Sequence, residues 1–190
     1  MKRVVLLVLV ASLAAGCNSS KSSQSNPPPV VLPQAQTGDE WALRVVNRLM
    51  RPLNKDLQVV NGLNNPNILL YIINRNKATL AIVNRRLGDL GRCSTKLVTI
   101  GPPPPQSRRL QRTNAKFQAA CRLYVQLAQK LQKVALFLSS GRSDVIAEGR
   151  KLLRAARPTA NAAATTYCAA VTNAQKQPEF RRAGLQRSAC

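Results

Sequence analysis

The sequence predicts an all-α protein: an up-down bundle of about four helices with two disulfides, preceded by a leader and a disordered tether. Three observations predict it. Apolar residues recur at three- and four-residue steps through most of the chain, which is the period of a helix with one buried face. The connectors are rich in proline, glycine and asparagine, so the stripes end sharply. Four cysteines, Cys93, Cys121, Cys168 and Cys190, stand in the folded part.

The domain is expected over residues 37–190. It opens at Thr37-Gly38-Asp39-Glu40, where Asp39 is read as the N-cap and acids favour a helix N-terminus. Leu43, Val46, Met50, Leu53, Leu57 and Val60 form the first stripe. Pro52 lies inside it and either kinks the helix or restarts it as a first-turn proline. Residues 61–67, dense in asparagine, break the chain.

A second helix is expected from about Ile68 to Gly91. Leu69, Ile73, Leu80, Val83, Leu87, Leu90 and Cys93 carry its stripe, with the polar Asn76 intervening. The run Ile68–Ile73 also reads as a strand, but a stripe in phase for six turns favours the helix. Four prolines after Gly101 then exclude helix interior and central strand. They read as a rigid turn, with a polyproline ligand as the alternative.

The third helix has the clearest stripe: Leu110, Phe117, Cys121, Tyr124, Ala128, Leu131, Ala135 and Leu138. Gly141 is read as its left-handed terminator. The fourth opens at Ser143-Asp144, read as a capping pair. It continues through Val145, Gly149, Leu153, Ala156, Ala160, Ala163, Tyr167 and Val171. Pro158 should kink it, its alanine-rich middle implies a close neighbour, and Pro178 should stop it. A basic tail with Arg181, Arg182 and Arg187 leads to Cys190.

Residues 1–16 read as a signal peptide. Lys2 and Arg3 precede an apolar run from Val4 to Leu13, and ~10 residues are too few to span a bilayer. Leu13-Ala14-Ala15-Gly16-Cys17 resembles the lipobox of bacterial lipoproteins. The resemblance implies cleavage before Cys17, lipidation of its thiol, and an address on the outer face of the cell membrane. Residues 17–36, with five serines and Pro27-Pro28-Pro29, read as a tether.

Four cysteines beyond the anchor favour disulfides in an exported chain, with three possible connectivities. Cys93–Cys121 and Cys168–Cys190 are the favoured pair, because the proline connector lets the chain double back. A zinc site is disfavoured: there is no histidine, and no two of these cysteines are close in sequence.

Chemistry is sparse. Without histidine there is no serine–histidine or cysteine–histidine pair, and the seven acids are scattered. No phosphate-binding glycine loop is present. The expected class is non-enzymatic, without metal or cofactor beyond the lipid on Cys17, and no small-molecule substrate is identified.

The positive signal is charge. The chain has 29 basic and 7 acidic residues, net +22; losing Lys2 and Arg3 leaves +20. Such a surface attracts polyanions in a salt-dependent way. Arg108, Arg112 and Lys116 step along the third helix, extended by Lys130 and Lys133, and Arg150, Arg154 and Arg157 along the fourth. Two antiparallel helices bearing these rows would form one basic wall for anionic envelope polymers or an acidic partner protein. The aromatics fall on the apolar stripes, so base stacking on nucleic acid is unsupported. The second expectation is an accessory subunit or inhibitor that docks a partner through an apolar groove between helices.

Overall fold

A computed structural model of the chain describes residues 37–62, 77–140 and 142–185. All regular structure among them is helical. α1 (Gly38–Arg44) passes through a π-helical segment (Val45–Met50) into α2 (Arg51–Gly62). Then come α3 (Lys77–Gly91), α4 (Cys93–Ile100), α5 (Arg108–Leu138), α6 (Ser143–Gln175) and the short α7 (Pro178–Arg182).

The cap of α1 is Thr37 rather than Asp39. The Thr37 hydroxyl accepts from the Glu40 amide, and the Glu40 carboxylate accepts from the Thr37 amide. This capping box satisfies two otherwise orphaned donors. Asp39 sits in the first turn and pairs instead with Arg182.

The π segment corrects the first stripe. The Arg51 amide reaches back to the Val46 carbonyl, five residues away. Pro52 follows and has no amide to offer, so α2 restarts with proline in its first turn. The wider turn changes which residues face inward. Trp41, Val45, Leu49 and Leu53 are buried at four-residue steps, flanked by Ala42, Val46 and Met50. Leu43, expected in the core, is 48% exposed.

The second helix ends at Gly91 as expected, but Cys93 does not belong to it. Arg92 leaves helical geometry at φ −92°, ψ 8°, and the chain resumes at once as α4. Cys93 therefore opens a helix instead of closing one. Its disulfide to Cys121 joins α4 to α5 as expected, with α-carbons 5.1 Å apart. Cys168 is also disulfide-bonded. Cys17, Cys190, Arg187, Gly141, Asn76 and the Ile68–Ile73 run lie outside the described residues.

The proline connector is packed rather than free: Pro103 and Pro104 are buried. Gly101 turns the chain at φ 84°, a conformation that favours glycine. Its carbonyl accepts from Trp41 Nε1 at 3.1 Å.

α5 and α6 form the long antiparallel pair. Tyr124 and Phe117 meet Tyr167, with ring centroids 5.9 and 6.3 Å apart. Toward one end Gln177 donates to Thr113; toward the other a Cβ on Gly149 would lie 3.1 Å from Leu138. Every residue of the third stripe is buried. Small residues on α6 (Ala156, Ala163, Ala170, Ala174) let the backbones approach. α6 runs unbroken past Pro158, and its N-cap is Arg142, which makes no side-chain cap bond. Ser143 and Asp144 lie inside the helix, where Asp144 pairs with Arg142.

Pro178 follows the end of α6 at Gln175, as expected of a stop. It starts α7, which the tail's composition did not announce. Phe180 of α7 is fully buried against Trp41 and Phe117. The Leu185 amide bonds the Phe180 carbonyl and the Gly184 amide bonds the Arg181 carbonyl. With Gly184 at φ 82°, this is a Schellman C-cap.

Candidate functional site

The six cations singled out in the sequence are all exposed: Arg108, Arg112 and Lys116 on α5, Arg150, Arg154 and Arg157 on α6. None forms an ion pair among the described residues. The acids that do form pairs are engaged elsewhere: Asp39 with Arg182, Asp56 with Arg86 and Lys96, Asp89 with Arg92, Asp144 with Arg142, and Glu148 with Lys151.

The triplets Arg108–Arg112–Lys116 and Arg150–Arg154–Arg157 do not lie opposite each other. The antiparallel register pairs Lys130 with Thr159 (2.7 Å) and Thr113 with Gln177. Arg112 therefore lies beside the end of α6, whereas Arg154 lies beside the C-terminal part of α5. At 1.5 Å per residue the rows are separated by ~35 Å along the helices. Screening leaves little direct coupling over that distance, since the Debye length is ~8 Å at physiological salt. The two triplets lie toward opposite ends, with exposed Lys130 and Lys133 of α5 level with Arg157.

The end bearing Arg108 and Arg112 is enlarged by residues from elsewhere. Gln177 also reaches the Arg109 carbonyl, so α7 and the last turn of α6 sit against the start of α5. This adds exposed Lys176, Arg181 and Arg182 beside exposed Arg109. Their convergence depends on α7, which gave no periodic signal because it is only five residues long.

One groove lies between α4, the start of the proline connector and α5. Its volume is about 370 Å³, and it is lined by Ser94, Leu97, Val98, Gly101, Pro102, Asn114, Gln118 and Arg122. Val98 is 77% exposed on its rim. The Cys93–Cys121 bond holds the two helical walls together. The sequence reading missed this groove because α4 was not foreseen as a helix.

Asp56 of α2 is the one acid buried among the described residues, at 1% exposure. Its Oδ1 lies 3.2 Å from Arg86 Nη1 of α3 and its Oδ2 3.8 Å from Lys96 Nζ of α4. Burial pushes its carboxyl above the ordinary value of 3.8, with Arg86 and Lys96 opposing. The cluster ties three helices together. Burial likewise pushes the phenols of Tyr124 and Tyr167 well up, and the Tyr167 hydroxyl donates to Asn54 Oδ1.

No group of three or more histidine, cysteine or acidic residues among the described residues is placed to hold a metal. No described helix is long and apolar enough to cross a membrane. No protein-family model matches the chain, and no curated protein or solved structure is similar to it.

Proposed function

We propose that this is a non-enzymatic exported lipoprotein. It is held on the outer face of the cell membrane by lipid on Cys17, and its basic helical domain engages anionic envelope material or an acidic partner. The observation that carries this reading is the set of exposed, unpaired cations on α5 and α6. A pair of fixed basic patches on a rigid helical hairpin is suited to surfaces and polymers bearing repeated negative charge. No cofactor is needed for this role. The finer architecture belongs to the same reading: a four-limbed up-down bundle in which Cys190 is the partner of Cys168.

The test uses the full chain in neutral detergent micelles, titrated with inorganic polyphosphate. Neutralising even three phosphates should cost about tens of fold in affinity between about 50 and 200 mM salt. The Arg150→Gln/Arg154→Gln/Arg157→Gln variant should bind more weakly. Binding insensitive to both salt and this variant would overturn the reading.

The α4–α5 groove favours a second reading, an accessory subunit or inhibitor that docks a partner. Exposed Val98 beside buried Leu97 gives it an apolar lip. Binding of that kind is salt-resistant and rests on a few buried contacts. It should be lost on Val98→Asp and unaffected by the arginine substitutions.

A further inference from the structure

The described residues begin at Thr37, and two remote parts of the chain surround that first turn. Arg182 Nη2 lies 2.8 Å from Asp39 Oδ1. A Cβ on Gly38 would meet Leu110 at 3.0 Å and Glu179 at 3.4 Å. The chain therefore enters the bundle at the end where α5 starts and α7 packs. Arg108, Arg109, Arg112, Lys176, Arg181 and Arg182 are exposed at this end. The acids there are largely engaged. Asp39 holds Arg182, Glu40 closes the capping box, and Glu179 is half-buried with one oxygen shielded from water.

We infer that this end is the face that lies on the anionic phospholipid headgroups of the membrane carrying the protein's own lipid. The inference rests on the reading of Cys17 as the anchor. Twenty positions separate Cys17 from Thr37. α5 is 31 residues long, or ~46 Å. Bringing the Arg150–Arg157 patch down to the surface end-on lifts Thr37 by most of that length, which the tether must then span. The patch beside Thr37 needs no such extension. It is held close to the headgroups, where local concentration is set by linker length. Cations within a Debye length of an anionic leaflet are attracted to it, and those farther away are screened. The two patches therefore differ in role because of where the chain enters, not because of how much charge each carries.

The test uses the mature protein with its anchor, reconstituted at physiological salt. One vesicle preparation is phosphatidylcholine alone and the other contains one third phosphatidylglycerol. Arginines are modified with a phenylglyoxal reagent and quantified by peptide mass spectrometry. Arg109, Arg112 and Arg181 should be several-fold less modified on the anionic vesicles than on the neutral ones, with Arg150, Arg154 and Arg157 equal on both. In the Arg108→Gln/Arg112→Gln/Arg181→Gln variant, protection of Arg109 should be lost while thermal unfolding is unchanged. Equal protection of both patches, protection of the far patch alone, or no protection would overturn the inference. Failure of the anchor reading is distinguishable. It shows as an unmodified Cys17 by intact mass and no recovery with neutral vesicles, and the labelling pattern on anionic vesicles still reports on the basic end.

Discussion

Trp41 and Phe180 meet edge to face, with ring centroids 5.6 Å apart and planes at 88°. Both rings are fully buried, although 139 residues separate them. This contact locks the first described helix to the last, and so fixes where the chain enters the bundle. Truncating a buried phenylalanine removes its transfer energy and leaves a cavity. Phe180→Ala should cost about 3–5 kcal/mol in denaturant unfolding. A loss below about 1 kcal/mol would mean that α7 is not docked as described.

Two glycines should respond in opposite directions. A Cβ on Gly88 meets nothing within 4 Å, so Gly88→Ala should gain about 0.5–1 kcal/mol from helix propensity. A Cβ on Gly149 would press against Phe137 Cβ and Leu138, each at 3.1 Å. Gly149→Val should therefore cost about 1–3 kcal/mol by overpacking the end of the α5–α6 pair. Parallel thermal melts of the two variants would show whether the signs hold.

Asp56 gives a pH signature. Its folded pKa lies above the ordinary 3.8 because it is buried. Between those two values the folded state holds the proton more firmly than the unfolded chain does. Stability from this site is therefore present at low pH and lost as pH rises through the folded pKa. The unfolding free energy of the native protein relative to Asp56→Asn should fall as pH rises from about 3.5 and then flatten. A difference that grew with pH would mean that attraction to Arg86 and Lys96 outweighs burial.

The Cys93–Cys121 bond closes a loop with a sequence separation of 28. Restricting the unfolded chain over such a loop is worth about 3–4 kcal/mol in the chain-entropy model. The Cys93→Ser/Cys121→Ser double variant should lose about that much stability, and Val98 and Leu97 should exchange amide hydrogens faster as α4 loosens. Unchanged exchange in α4 would show that packing alone holds the groove.

How much of this was legible depended on helix length. α5 and the buried stripe of α6 could be read residue by residue, because three or more turns of an uninterrupted stripe leave one solution. The Cys93–Cys121 pairing followed from the connector between the two segments. The first stripe was misplaced at Leu43 because a π turn before Pro52 changes the period locally. Trp41 was missed for the same reason. α4 and α7 are eight and five residues long, too short for a period to show. The groove and the enlarged basic end both depend on them. The two cation rows were found, but their separation depends on the register of an antiparallel pair, which composition does not encode.

The account depends most on the anchor, and intact mass spectrometry of the protein extracted from cell membranes tests it directly. The account predicts a chain beginning at Cys17, carrying a thioether-linked diacylglyceryl group, with Cys168 bonded to Cys190. A chain that retains residues 1–16, or a Cys17 that is free or disulfide-bonded, would contradict it.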